Sequence, residues 1–236
     1  MVMSASKLRI DGQEITFEEG QSILDAAHNA GIYIPHLCHD RKVKSQGNCK
    51  VCTVKVNGRN CSACTMPALD GQEVLSNTQD LGALRRTLIQ MLFVEGNHLC
   101  PGCVKSGDCK LQAIAYLEGM RELHFQPQSP KRPLDASHTE FLIDFDRCIL
   151  CGLCVRASHE LDGKDVFDLI GRGLSTRLAI NSASGLLGDS AFASSDVAAK
   201  ICPVGAIVPK KLAYEKPIGE RTYDRVSVET ESLMDK

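Results

Sequence analysis

Twelve cysteines in three sets constrain this chain more than any other feature of its sequence. Each set is about large enough to hold one metal centre, and C-x-x-C spacing recurs in all three. Modules that wrap such centres in short loops have thin cores and depend on the metal to fold. The sets are Cys38, Cys49, Cys52, Cys61 and Cys64; Cys100, Cys103 and Cys109; and Cys148, Cys151, Cys154 and the distant Cys202.

Charge and hydropathy exclude several classes of protein. The 27 basic and 29 acidic residues nearly balance, so no basic surface for nucleic acid is expected. No apolar run is long enough to insert in a membrane, and residues 1–10 lack the pattern of a secretory signal. We therefore expect a cytoplasmic location, where structural disulfides are rare and C-x-x-C indicates metal ligands or redox thiols.

The first part of the chain has the element order of a β-grasp ferredoxin. Alternating residues around Asp11-Gly12 predict a hairpin, and residues 21–30 predict a short amphipathic helix. Strands are expected at 51–56, turning at Asn57-Gly58, and at 73–75. The predicted β-grasp domain covers residues 1–78.

The first cysteine set carries a family resemblance. The spacing Cys38-x10-Cys49-x2-Cys52-x11-Cys64 resembles the [2Fe–2S] module at the front of iron-only hydrogenases and of the large iron–sulfur subunit of respiratory complex I. The resemblance implies a [2Fe–2S] cluster on these four thiolates. Cys61 is the rival for the fourth position, and zinc is a rival metal because four cysteines suit it well.

A small helical module is predicted over residues 79–125. Two packing helices are expected there, one over 81–94 and one over 110–121. The first should bury Leu81, Leu84, Leu88, Met91 and Leu92 and leave Arg85, Arg86 and Gln90 off that face; the second should bury Leu111, Ile114, Ala115 and Leu117.

The second cysteine set lies between these helices and lacks a fourth thiolate. Cys100-x2-Cys103-x5-Cys109 resembles the His-ligated [4Fe–4S] segment of the same two families. Those families have the histidine four residues before the first cysteine, where this chain has Gly96. His98, two residues before Cys100, is the predicted fourth ligand. A neutral imidazole in place of a thiolate should raise the reduction potential.

The third set lies in a predicted ferredoxin-like domain over residues 138–212, after a proline-rich linker at 126–137 and before a C-terminal tail at 213–236. Strands are expected at 141–145 and, within a long insert, at 166–170 and 178–180.

This third domain should hold a single cubane. Two-cluster ferredoxins contain two runs of C-x2-C-x2-C-x3-C-P, and each run lends its last cysteine to the other cluster. Cys148, Cys151, Cys154 and Cys202 complete one [4Fe–4S] cluster by that rule. The four ligand positions of the second cluster hold no cysteine; they are Ser158, Phe192, Ser195 and Ala198. The Phe192 side chain should fill part of the space that the second cluster would occupy.

The whole chain is therefore predicted to be α+β, with one [2Fe–2S] cluster, two [4Fe–4S] clusters and Cys61 left over. We expect no catalytic residues. Gly171-Arg172-Gly173 lacks the third glycine of a dinucleotide fingerprint, since Thr176 stands there, and no flavin site is apparent.

The order of the three modules, over about residues 5–210, resembles the γ-type diaphorase subunits of cytoplasmic NAD-reducing [NiFe] hydrogenases. The resemblance implies an electron-transfer subunit in an obligate hetero-oligomer, between a flavoprotein that binds NAD(H) and the small and large hydrogenase subunits. The alternatives are the equivalent subunit of an NAD-dependent formate dehydrogenase or complex I-like assembly, and a zinc-stapled scaffold protein without redox function.

Overall fold

The computed structural model describes residues 6–128 and 131–234. Residues 1–5 of the predicted first domain, 129–130 of the predicted linker and 235–236 of the predicted tail lie outside the described residues. The strands are β1 Lys7–Ile10, β2 Gln13–Thr16, β3 Thr53–Val56, β4 Arg59–Ser62, β5 Glu73–Leu75, β6 Leu134–Asp135, β7 Phe141–Asp144, β8 Phe167–Ile170, β9 Arg177–Ile180 and β10 Ile207–Pro209. The α-helices are α1 Ile23–Asn29, α2 Gln79–Val94, α3 Lys110–Leu117, α4 Leu153–Glu160, α5 Leu212–Glu215, α6 Thr222–Arg225 and α7 Val228–Met234.

The first sheet has the order β2-β1-β5-β3-β4. β1 runs antiparallel to β2 and parallel to β5, while β3 runs antiparallel to both β4 and β5. Both predicted hairpins are present. Their turns have positive φ at both central residues, 50° and 84° at Asp11-Gly12 and 48° and 82° at Asn57-Gly58, as tight hairpins require. The α+β class is confirmed.

Helix α1 packs on this sheet as its pattern predicts. Ser22 caps it, accepting a hydrogen bond from the Asp25 backbone N–H while the Asp25 carboxylate accepts one from the Ser22 backbone. Gly31, with φ of +74°, follows the last turn. The buried residues are the predicted Ile23, Leu24, Ala26 and Ala27.

Helix α2 buries Leu81 as predicted, but the rest of its buried face differs from the predicted one. Arg85 and Gln90 are buried, whereas Met91 is 44% exposed. The reason is polar: the Arg85 guanidinium donates to the carbonyl oxygens of Thr53 (3.0 Å) and Ser76 (2.7 Å), so its burial is compensated. Leu117, at the end of α3, was also expected to be buried and is 39% exposed.

The third part of the chain contains a sheet of order β10-β7-β6 and a separate β8-β9 hairpin. Leu134–Asp135, expected in the linker, forms β6 instead. The buried Asp135 carboxylate accepts hydrogen bonds from the backbone N–H groups of Ser137 (2.8 Å) and Leu187 (2.7 Å), which ties this strand to the domain.

The segment predicted as a tail packs back on the molecule. The buried Arg221 donates to the Ser106 carbonyl oxygen, and the Tyr223 backbone N–H donates to that of Gly107 at 2.8 Å. The segment thus covers the loop between Cys103 and Cys109. Within the described ranges, no helix combines the length and the apolar character needed to cross a bilayer.

Candidate metal centres

The first cysteine set meets where two loops and the end of β4 converge. Cys38 is in the loop after α1, Cys49 and Cys52 flank the turn before β3, and Cys64 follows β4. Cys38, Cys52 and Cys64 are buried. The loop bends at Gly47, where φ is +67° and a Cβ would lie 3.2 Å from the Thr65 side chain. This close approach brings the loop against the segment that carries Cys64.

The four thiols of this set form two hydrogen-bonded pairs. The bond between Cys38 and Cys49 lowers the pKa of Cys38 and raises that of Cys49. The bond between Cys52 and Cys64 likewise raises the pKa of Cys52 and lowers that of Cys64. A [2Fe–2S] centre has four thiolates on two irons, so each iron takes two. The two pairs would together hold a [2Fe–2S] cluster on Cys38, Cys49, Cys52 and Cys64.

Cys61 stands apart from these pairs. It lies within β4, opposite Val54 of β3, and is half-buried. Burial, and then the nearby Cys52, raise the pKa of its thiol. The geometry therefore favours Cys64 as the fourth donor.

The second cysteine set surrounds a short 3₁₀ turn. Cys100 opens the turn Cys100–Gly102, and Cys109 is the residue before α3. Burial raises the pKa of the Cys109 thiol to about 12. The Cys103 sulfur accepts hydrogen bonds from the Lys105 backbone N–H (3.4 Å) and from Nη1 of Arg147 (3.3 Å). Such bonds to a ligating sulfur stabilise the more negative state of a cluster.

His98 has the properties of a metal ligand. Its Nε2 is buried and has no hydrogen-bond partner among the residues that the structure describes, although buried polar atoms are nearly always paired. Burial, with a smaller effect of Arg147, lowers the pKa of the imidazole to about 4, so the ring is neutral. A metal requires this neutral form.

The structure also accounts for the shifted position of the histidine. A Cβ at Gly96 would collide with the Asp146 carbonyl oxygen and would lie 2.8 Å from Nε2 of His98. The His98 ring, packed against Phe93 at a centroid distance of 5.5 Å, thus occupies the space beside residue 96. A side chain at 96 and the observed place of the His98 ring exclude each other.

The third cysteine set lines one small, mostly apolar cavity. Its walls include Cys148, Cys151, Cys154 and Cys202. The loop around it turns at Leu150 (φ 53°) and Gly152 (φ 70°). Burial raises the pKa of Cys148 to about 11 and also raises the pKa of Cys151 and Cys154. These thiols stay protonated without metal, and ligation would release their protons.

The four vacant ligand positions hold no donor for a second cubane. Ser158 is 1% exposed, and its hydroxyl bonds to the backbone of Lys164 and Val166. Phe192 is buried among aromatic rings, with centroid distances of 5.5 Å to Phe141 and 5.9 Å to Phe167. Of the other two, Ala198 is buried and Ser195 is exposed.

Among the side chains that the structure describes, no three of the metal-binding types converge on a point that would hold one ion. A structural zinc site needs four donors around a single ion. An iron–sulfur cluster instead spreads its protein ligands over several irons.

Two arginines and one glycine near the thiols were not predicted. Arg147 contacts Cys103, Arg156 lies between the first and third sets, and Gly205 approaches Cys103 so closely that a Cβ there would lie 3.3 Å from its sulfur. The spacing of cysteines contains no signal for them, because each contact joins residues far apart in the chain.

Sequence models of three protein families match the three thiol sets in order. The 2Fe-2S iron-sulfur cluster binding domain matches residues 5–79. The NADH-ubiquinone oxidoreductase-G iron-sulfur binding region matches residues 85–124. The 4Fe-4S single cluster domain matches residues 141–208.

Several characterised proteins are similar to the chain. One is the gamma subunit of the NAD-reducing hydrogenase HoxS of Cupriavidus necator, 38% identical over 230 residues that cover 96% of this chain and 97% of that protein. The alpha subunit of the NADPH-Fe(3+) oxidoreductase of Geobacter sulfurreducens is 33% identical over 209 residues, 88% of this chain but 24% of that protein. A subunit of the NADH-quinone oxidoreductase of Streptomyces coelicolor is 30% identical over 226 residues, which cover 93% of this chain and 26% of that protein.

A solved structure matches nearly the whole fold. A chain in the crystal structure of an NAD+-reducing [NiFe]-hydrogenase in the H2-reduced state superposes with a TM-score of 0.94 at 48% identity, covering 98% of this chain and 99% of that one.

Proposed function

Since this chain belongs to the family of gamma subunits of NAD-reducing hydrogenases, we propose that it carries electrons between an NAD(H)-binding flavoprotein and the hydrogenase subunits. It is an iron–sulfur subunit of an oxidoreductase complex. We assign it no bond chemistry of its own. Its role is to hold clusters close together and away from water.

The observation that carries this proposal is the contact of all three thiol sets within one folded unit. The first and third sets touch where the Asn48 side chain donates to the Cys151 carbonyl oxygen at 3.4 Å. The second and third sets touch where Arg147 donates to Cys103 and where the Lys110 backbone N–H donates to the Pro203 carbonyl oxygen at 2.9 Å. Hydrogen bonds thus join the segment that carries the third set to the segments that carry each of the others.

We propose that electrons pass through the third set on their way between the first and the second. The first and second sets are linked through the side chains of residues next to them, Nζ of Lys110 and Nε2 of His36 at 2.9 Å. The spatial order therefore differs from the order in the chain.

We propose one [2Fe–2S] cluster on Cys38, Cys49, Cys52 and Cys64, and two [4Fe–4S] clusters. The first cubane would be held by His98, Cys100, Cys103 and Cys109, and the second by Cys148, Cys151, Cys154 and Cys202. The clusters supply one-electron redox chemistry. The thiol pairing, the unpartnered His98 nitrogen and the filled space around Phe192 support this count.

We propose a cytoplasmic hetero-oligomer with the flavoprotein and the small and large hydrogenase subunits as partners. A reducing compartment keeps twelve free cysteines available as ligands. The hydrogenase assignment is favoured over a formate dehydrogenase because the relative matched over 97% of its length and the solved structure are both NAD-reducing hydrogenases.

Metal and sulfide analysis tests the proposal. The anaerobically purified subunit should contain about ten irons and as many acid-labile sulfides. About fourteen irons would contradict a single cubane in the third domain. Zinc without sulfide would support the scaffold alternative and overturn the proposed function. Co-purification with formate dehydrogenase subunits would instead assign the chain to a formate dehydrogenase complex.

A further inference from the structure

Arg156 is a buried cation between two of the thiol sets. It lies in α4, two residues after Cys154, and is 4% exposed. All of its described hydrogen bonds go to backbone carbonyl oxygens. Nη2 donates to Cys38 at 2.8 Å and to Cys151 at 3.2 Å, Nη1 donates to Lys44 at 2.6 Å, and Nε donates to Gly152 at 3.2 Å. One guanidinium thus joins the backbones of a predicted ligand in the first set and one in the third.

This cation has no carboxylate counter-charge within the part of the chain that the structure describes. No acidic side chain of residues 6–128 or 131–234 lies within ion-pair distance of it. Glu160, one turn further along α4, accepts from the Lys44 backbone N–H instead. Arg85, equally buried at 4% exposure, differs because Glu118 lies 3.7 Å away. Carbonyl oxygens satisfy the N–H groups of Arg156, as they do those of Arg85, but they carry no net charge, and a buried cation without an opposite charge is costly.

We propose that the clusters of the first and third sets are the counter-charge of Arg156, and that Arg156 sets the reduction potentials of both. This inference rests on the proposed cluster sites. A cluster with four thiolate ligands has a net negative charge and gains one more when it accepts an electron. A fixed cation nearby stabilises the reduced state more than the oxidised state. Each step adds one electron, and no bond forms or breaks.

The expected size of the effect follows from electrostatics. Two unit charges about 8 Å apart, at an effective dielectric constant of about 20, change an equilibrium by about thirtyfold. At 59 mV per tenfold for a one-electron couple, this corresponds to about 90 mV. Arg156 should raise both potentials, because it contacts the backbone of both sets. Arg156 is a positioning residue, since it acts through the ligands and touches no reacting atom.

The test is an EPR-monitored redox titration of the complete hydrogenase complex with Arg156→Gln, Arg156→Lys and the control Arg85→Gln. Arg156→Gln removes the charge and should lower the reduction potentials of the [2Fe–2S] cluster and of the third-domain cluster. The equilibrium constant for reduction of each cluster should fall about thirtyfold. Arg156→Lys keeps the charge and should stay near the wild-type values. Arg85→Gln removes an equally buried arginine and should leave the third-domain potential unchanged.

Loss of both clusters in Arg156→Gln with retention in Arg156→Lys would also support the proposal, because the charge is what the two variants do not share. Unchanged potentials in Arg156→Gln would overturn it. Equal shifts, or equal cluster loss, in the Gln and Lys variants would also overturn it, because geometry would then matter and charge would not. A shift of the third-domain reduction potential in Arg85→Gln would also overturn it, because the effect would then come from general packing. A wild-type protein without iron and sulfide at these sets would instead overturn the proposed function.

Discussion

Gly96→Ala tests whether the place of the His98 ring depends on a missing side chain. The added methyl group would collide with a backbone carbonyl oxygen, that of Asp146, and would lie 2.8 Å from Nε2 of His98. Overpacking of this kind costs about 1–3 kcal/mol. Replacing glycine by alanine also stabilises the folded state by about 0.4–1 kcal/mol, because it lowers the conformational entropy of the unfolded chain. The net penalty should be about 1–2 kcal/mol, and the imidazole is the part that can move.

The displacement should weaken ligation by His98 selectively. Since 1.4 kcal/mol is a factor of ten, the imidazole should leave its position about tenfold more often. We expect iron loss to a chelator, followed by visible absorbance, to become faster at the second set, and its EPR signal to weaken. The [2Fe–2S] signal should persist, because no residue of the first set is among the atoms nearest to the added methyl group.

Gly102→Ala is the matched control. It lies in the same loop, and the nearest atom to its Cβ position, Cδ2 of Leu99, is 4.0 Å away. This variant should retain the wild-type rate of iron loss. Equal rates in Gly96→Ala and wild type, or equal acceleration in both variants, would refute the role given to Gly96 and His98.

Three further predictions concern ligands and pH. Cys64→Ala should abolish or strongly perturb the [2Fe–2S] EPR signal while Cys61→Ala leaves it nearly intact; the opposite pattern would make Cys61 the fourth donor. His98→Cys should keep a cluster at a lower reduction potential, since it adds a negative charge, whereas His98→Ala should give a labile cluster that tends towards a three-iron form; an unchanged EPR spectrum in His98→Ala would remove this histidine from the ligand set. Burial lowers the pKa of His36 and His39 below the usual value for histidine, so the unfolded chain takes up protons first and the stability of the cluster-loaded subunit should fall as pH drops below about 6.5. Anaerobic melting curves of the loaded subunit that are the same at pH 7 and pH 5 would contradict this.

Local patterns predicted the elements well wherever neighbouring residues decide the conformation. The hairpin at Asp11-Gly12 and the buried face of α1 follow from turn chemistry and periodicity alone. The prediction was wrong on α2, where Arg85 is buried because acceptors from Thr53 and Ser76 meet its guanidinium. Those acceptors come from other elements, and no periodicity within the helix reports them.

The sequence by itself determined the three thiol sets, since a loop of a few residues must supply most ligands of each cluster and the spacing records that need. The absence of cysteine at the ligand positions Ser158 and Phe192 could be predicted to exclude a second cubane for the same reason. Only the tertiary structure decided which sets are neighbours. Arg156 lies 118 residues from Cys38 in the chain, and its hydrogen bond to that carbonyl oxygen exists only after the first and third domains pack together. Long-range packing would therefore determine the proposed path between the clusters, because electrons and electric fields act through space and not along the chain.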